Sequence, residues 1–222
     1  MLSWFSKFAE VIIVTLLGIV SVSTAYVSFQ ASLYDSKMFQ EYAIGQSLKT
    51  EAESMYLEAN QQYTQDAQTL VALDQLSVEM KSSNAEVSQL ASEKYDAVYY
   101  GGVSDVFNAA IERATVLNEQ SPDEYISPQD DEAYLDDLFG AYDEQSAAAT
   151  DQMKKGDEYN SHGDKLILYT VLMALCLFLL GIAAVVRRNE TKFAISAISM
   201  VIFTVTATLS AFVPFMGIDE LL

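Results

Sequence analysis

One cysteine, one histidine and three prolines in 222 residues leave several classes of protein without the residues they need. Cys176 has no second thiol to pair with, so no disulfide forms within the chain and redox compartment is not legible from it. Inside an apolar run it reads as a small filler. A zinc site draws on three or four His or Cys ligands, and a catalytic triad needs a nucleophile beside an oriented base. His162, with Asp157, Glu158, Tyr159 and Asp164 near it in sequence, assembles neither and reads as a solvated residue near the lipid headgroups. No catalytic, cofactor-binding or metal-ligating residue is assigned. No cofactor is expected, and the chain is not expected to be an enzyme.

Positive charge is also scarce. Against 31 Asp and Glu stand 12 Lys and Arg, a net of -19, and residues 30–164 alone hold 27 acids and 7 bases. A surface of that sign repels phosphate backbones and anionic headgroups, which argues against nucleic acid as a partner. It suits a cationic partner or divalent cations. The acids Asp123, Glu124, Asp130, Asp131, Glu132, Asp136 and Asp137 could gather Ca²⁺ weakly through oxygen ligands, but they lack the spacing and central glycine of an EF-hand loop. The alternative is that they stabilise a helix N-terminus. Charge is missing as well from the centres of the apolar runs, where a transporter or proton channel normally carries it. The chain by itself is not expected to conduct or pump.

What the sequence does contain is apolar length. Residues 166–186 and 193–215 are near-continuous apolar runs that, at 1.5 Å per helical residue, reach about 31 and 34 Å, enough to cross a hydrocarbon core of roughly 30 Å. Six residues, 187–192, separate them, so they form an antiparallel hairpin. A third run covers residues 11–27, preceded by an interfacial group of Trp4, Phe5, Lys7 and Phe8. The stretch Val22-Ser23-Thr24-Ala25 has the small residues of a signal-peptide cleavage region, but a single lysine precedes the run, and it is expected to remain as an anchor. Arg187, Arg188 and Lys192 in the turn, against Asp219 and Glu220 past the last run, place the turn and the N-terminus in the cytoplasm. Residues 30–164 and the C-terminus then lie outside, in a multi-pass protein of the cell inner membrane. Lys165 is a small contrary vote.

Scarce proline and glycine make the remainder helical. After Phe29 no breaker occurs before Gly45, and none again before Gly101, so the first span should continue outward as one helix. From Ile44 the apolar positions Leu48, Ala52, Met55, Ala59, Tyr63, Ala67 and Leu70 recur at a mean of about 3.7 residues, which predicts a nearly straight amphipathic helix or a weak right-handed twist within a coiled-coil-like bundle. Residues 82–84 are the expected first turn. Gly101 and Gly102 should bend or break the next helix, whose face is Val87, Leu90, Ala91, Tyr95 and Val98, and Val106 to Leu117 resume it. The loop of residues 118–130 carries two Ser-Pro-x-acid units, at Ser121 and Ser127, each a helix-start signature, with Ser127 expected to open the return helix. Gly156 and Gly163 are candidate bends before the second span. The face residues are largely Ala, Tyr and Met, so a partner or a second copy is expected to cover them.

The fold class expected is therefore an all-α membrane protein. It has three transmembrane helices and an elongated antiparallel helical extracytoplasmic bundle, divided as residues 1–29, 30–164 and 165–222. Gly18, Ser21 and Ala25 of the first span, with Ala207 and Ala211 of the third, are the expected helix-contact surfaces. Ser196, Ser199, Thr204 and Thr208 add hydroxyls to the third. The layout, together with the Tyr34 to Lys49 patch and the patch around His162, resembles a prokaryotic family of three-transmembrane proteins whose domain has no known function. That resemblance implies architecture and supplies no functional residues. The expected role is a non-enzymatic accessory or scaffold subunit that contacts the bilayer and another membrane protein or itself. Rival readings are an extracytoplasmic sensor or cation-binding module and a small channel or transporter subunit.

Overall fold

A computed structural model describes residues 2–120 and 125–217, with residues 2–9 described as backbone alone. The side chains of Trp4, Phe5, Lys7 and Phe8, the acids Asp123, Glu124, Asp219 and Glu220, and the Ser121-Pro122 start signal lie outside the described residues. Among the described residues the elements are all helical. They are α1 (Leu2–Glu79), α2 (Ala85–Gly102), α3 (Asp105–Gln120), a single 3-10 turn (Pro128–Asp130), α4 (Glu132–Val185) and α5 (Asn189–Ala211). Three of these, α1, α4 and α5, carry stretches long and apolar enough to cross a membrane.

Local chemistry sets the boundaries. The chain leaves α1 after Glu79, and Asn84 caps α2 by accepting the Glu86 N–H at 3.0 Å. Two glycines end α2, and Val103 is extended. The second Ser-Pro unit behaves differently from expectation. Ser127 caps only the 3-10 turn, and α4 is opened by Asp131, whose Oδ1 accepts the Tyr134 N–H at 2.9 Å. Asp131 is the residue that immediately precedes α4, and its carboxylate also meets the helix dipole with a full charge. The hairpin turn is also shorter than expected, residues 186–188. Asn189 to Lys192 already belong to the first turn of α5, with Glu190 at its electropositive end. At its other end α5 stops at Ala211 instead of running to residue 215, because Pro214 cannot supply a helical N–H.

The chain divides into two compact units, one of Met1–Ile44 with Asp151–Leu222 and one of Gly45–Thr150. In the first, Val20, Val27, Ala31 and Tyr34 of α1 meet Leu166, Met173, Cys176 and Leu180 of α4, with Ile202 and Phe203 of α5 against them. Lipid tails are as apolar as these side chains, so contact area and hydrogen bonds hold the spans together. Ser199 of α5 donates to the Cys176 carbonyl at 3.0 Å. Cys176 is buried filler, as its position suggested.

Two expected bends are contacts instead. Gly156 and Gly163 lie inside uninterrupted α4. A Cβ on Gly156 would fall 2.7 Å from the Tyr42 ring, and one on Gly163 would fall 2.9 Å from an Asp35 carboxylate oxygen. These glycines let α1 and α4 approach one another. By contrast, a Cβ on Gly18 would meet nothing within 4 Å, and Ser21 and Ala25 are exposed. Among the described residues the expected small-residue face of the first span is therefore not used; the inward face is Ile13, Val20 and Val27. The third span's hydroxyls likewise divide. Ser199 is buried, whereas Thr204 and Thr208 face outward and satisfy themselves on the carbonyls four residues back.

The second unit is a four-helix arrangement in which α1 and α4 run antiparallel. Glu51 pairs with Gln145, Tyr56 with Tyr142, and Tyr63 with Tyr134. Its buried positions on α1 are Gly45, Ala52, Ala59, Asp66 and Leu73, a repeat of seven. This departs from the 3.7-residue apolar period because two of the five, a glycine and an aspartate, are not apolar. From the other helices come Ala91, Phe107, Ala110, Ala114, Tyr134 and Ala149.

Candidate functional site

The buried polar groups mark where this protein departs from a plain helical bundle. Asp66 is fully buried in the second unit. Its carboxylate accepts the Tyr134 hydroxyl at 2.8 Å and the Gln62 amide at 3.0 Å. Tyr134, itself fully buried, packs between Phe107 and Tyr63. Burial, then the bond to Asp66, push the phenol far above the usual tyrosine range. The Tyr134 hydroxyl is thus a fixed donor. This node lies on the helix stripe, but one acid amid Gln and Thr gave no sequence signal that it faces inward.

The acidic stretch is committed to structure at one member. Asp131 takes a two-pronged bond from Arg113 at 2.8 and 2.6 Å while capping α4. That contact holds its pKa below the usual carboxylate range, and Arg113 is raised in turn. Among the described residues no group of three His, Cys, Asp or Glu converges so as to hold a metal ion.

In the first unit, His162 is half-buried and not solvated as expected. Its ring lies 5.3 Å from Tyr34, and its Nδ1 is buried without a hydrogen-bond partner among the described residues. The close approach that Gly163 permits brings α1 over this ring. Below it the irregular residues after α5 fold back. Gln30 donates to the Met216 carbonyl at 3.2 Å and accepts the Met216 N–H at 3.0 Å, and Tyr34 donates to the Pro214 carbonyl at 2.8 Å. Gln30 and Met216 are both buried. A partner 186 residues away is invisible to periodicity.

The tyrosines expected to form a contact face are mostly spent inside the molecule. Tyr42 donates to Asp157, and that bond raises its pKa. Tyr95 stacks on Tyr99, which burial raises and whose hydroxyl reaches Asn108. Tyr100 at 83% and Tyr125 at 71% remain exposed. With them stand aliphatic residues of the second unit that have left the spans behind, among them Leu57 at 66% and Val78 at 67%, with Leu90 and Val116. Val87 and Leu90, expected on the inner face of α2, are outside it. No protein-family model matches this sequence, and no curated protein or solved structure shows significant similarity to it.

Proposed function

We propose that the protein is a non-enzymatic, membrane-anchored accessory or scaffold subunit whose second unit contacts another membrane protein or a second copy on the extracytoplasmic side. The observation that carries this reading is the exposed apolar surface of that unit. Exposed Val14, Val22 and Phe178 in the spans are answered by lipid. Leu57, Val78, Leu90 and Tyr100, spread along α1 and α2, have no such solvent, and a protein surface laid along these helices would cover them. Exposed Arg187 and Arg188 in the short turn support the sidedness. The likeness to the three-span family extends to layout and contributes no residue roles.

A photo-crosslinking residue placed at Val78 or Tyr100 in the full chain, in native membranes, tests the reading. Discrete adducts to a protein or a second copy are expected there, and none from solvated Glu93. Equal, diffuse labelling from all three positions would contradict it.

A further inference from the structure

The short turn between α4 and α5 holds a charge that the fold does not balance. Lys192, in the first turn of α5, is only 7% exposed, yet its side chain makes no ion pair and no hydrogen bond among the described residues. An exposed lysine needs no partner, but a buried ammonium is strongly unfavourable until a negative group meets it. Its neighbours do not supply one. Ser199 of α5 meets the Cys176 carbonyl of α4, and seven residues nearer the turn on each antiparallel helix Lys192 comes level with Ala183, which is fully buried and has no polar side-chain atom. Two described acids lie at this end of the spans. Glu190 is exposed and held by Arg188 at 2.7 Å, and Glu10 is exposed and makes no ion pair among the described residues.

The direction of the side chain is set by the helix. Helical side chains lean toward the N-terminus of their own helix and lie over the preceding turn. The Lys192 ammonium is thereby carried toward the start of α5 and away from Ser196, one turn deeper on the same face, whose buried hydroxyl is also without a partner. The place it reaches suits an anion on two further counts. α5 is 23 residues long, and Arg188 at its N-cap makes no side-chain capping bond, so the N–H groups of the first turn are left uncapped at the electropositive end of the helix. Arg187 beside them is exposed and makes no ion pair among the described residues. Three bases against one acid in residues 187–192 make this a positive spot in a chain of net charge -19.

We infer that the N-terminus of α5 binds the phosphate of an anionic glycerophospholipid, with Lys192 as the buried counter-charge and Arg187 on the outer side. Helix N-termini receive phosphate through their open N–H groups, and an ammonium adds three donors and a point charge. The turn lies where α4 and α5 leave their apolar runs, which is the level of the headgroups, and basic pockets between spans take headgroup phosphates there. Glu190 opposes the anion, and its pairing with Arg188 offsets that. Exposed Ile182 and Val185 at the adjoining end of α4 give acyl chains an apolar surface that free phosphate cannot use.

The test uses the full chain in a mild non-ionic detergent, titrated with phosphatidylglycerol or with phosphatidylcholine of the same acyl chains, and bound lipid is counted by native mass spectrometry. Inorganic phosphate is the competitor. Phosphatidylglycerol should bind about tenfold more tightly than phosphatidylcholine, and an equimolar amount of inorganic phosphate should not displace it. Lys192→Met keeps the buried stem, removes the charge and should weaken phosphatidylglycerol binding about tenfold, or about 1.4 kcal/mol. Arg187→Gln, at an exposed side chain whose loss leaves the packing intact, should weaken it about threefold and tests the site even if Lys192→Met does not fold. Lys165→Met removes the same charge from an exposed position at the opposite end of the α4 span and should change nothing. Melting temperatures identify the folded variants. Equal binding of the two lipids would overturn the inference, as would parent-like binding by folded Lys192→Met or Arg187→Gln, or an equal loss from Lys165→Met. Displacement by equimolar inorganic phosphate would assign the site to the free anion and overturn the lipid.

Discussion

Single carboxamides and carboxylates hold this protein's irregular points, each by making two bonds where one is usual. The Asn118 amide brackets Ile126, donating to its carbonyl at 2.8 Å and accepting its N–H at 2.7 Å, as Gln30 brackets Met216. Asp66 accepts two donors, and removing one leaves a buried carboxylate partly unsatisfied. Tyr134→Phe is therefore expected to destabilise the second unit by about 1–3 kcal/mol, read as a lowered melting temperature by circular dichroism in mild detergent. Tyr100→Phe, at an exposed ring, should change it little. Asp131 gives a pH prediction. Its folded pKa lies below that of an unfolded aspartate, about 4, so its contribution is complete above that value and is lost as pH falls through the depressed folded value. Acid melting curves of the parent should show this loss, and those of Asp131→Asn should show less of it. Both ends of the Arg113 contact are partly exposed, so solvent screens the effect and a modest difference is expected.

At the scale of the helix, the same substitution should have opposite outcomes at two glycines. Gly156→Ala drives a methyl into the Tyr42 ring, which is held by its bond to Asp157, and overpacking of this kind costs about 1–3 kcal/mol. Gly18→Ala meets open space and should be neutral or slightly stabilising. Comparative melting of the two variants checks this. The elements themselves were largely legible in the sequence. Apolar length identified the spans, Ser82 to Asn84 the first turn, and Gly101 and Gly102 the second, because each is a local preference of the backbone. What was not legible depends on what lies opposite. A glycine that breaks a helix and one that admits a neighbouring ring look alike in sequence. Asp66 was hidden for the same reason, since its inward position is justified only by Tyr134, 68 residues away. The fold-back of residues 213–217 was hidden as well, since it rests on Gln30 and Tyr34 of α1.

For the molecule as a whole, the spans, the basic turn and the apolar surface of the second unit all bear on which side of the bilayer each part occupies. An odd number of crossings between residue 93 and residue 188 puts them on opposite faces, and the one native thiol, Cys176, is buried and should stay silent to a polar reagent. The most direct measurement is labelling of intact cells with a membrane-impermeant maleimide, using Glu93→Cys and Arg188→Cys in separate full-length chains. Glu93→Cys should react at once, and Arg188→Cys only after permeabilisation. Reaction of Arg188→Cys in intact cells with Glu93→Cys protected would invert the topology. Reaction of both would contradict the single crossing by α4 on which the account rests.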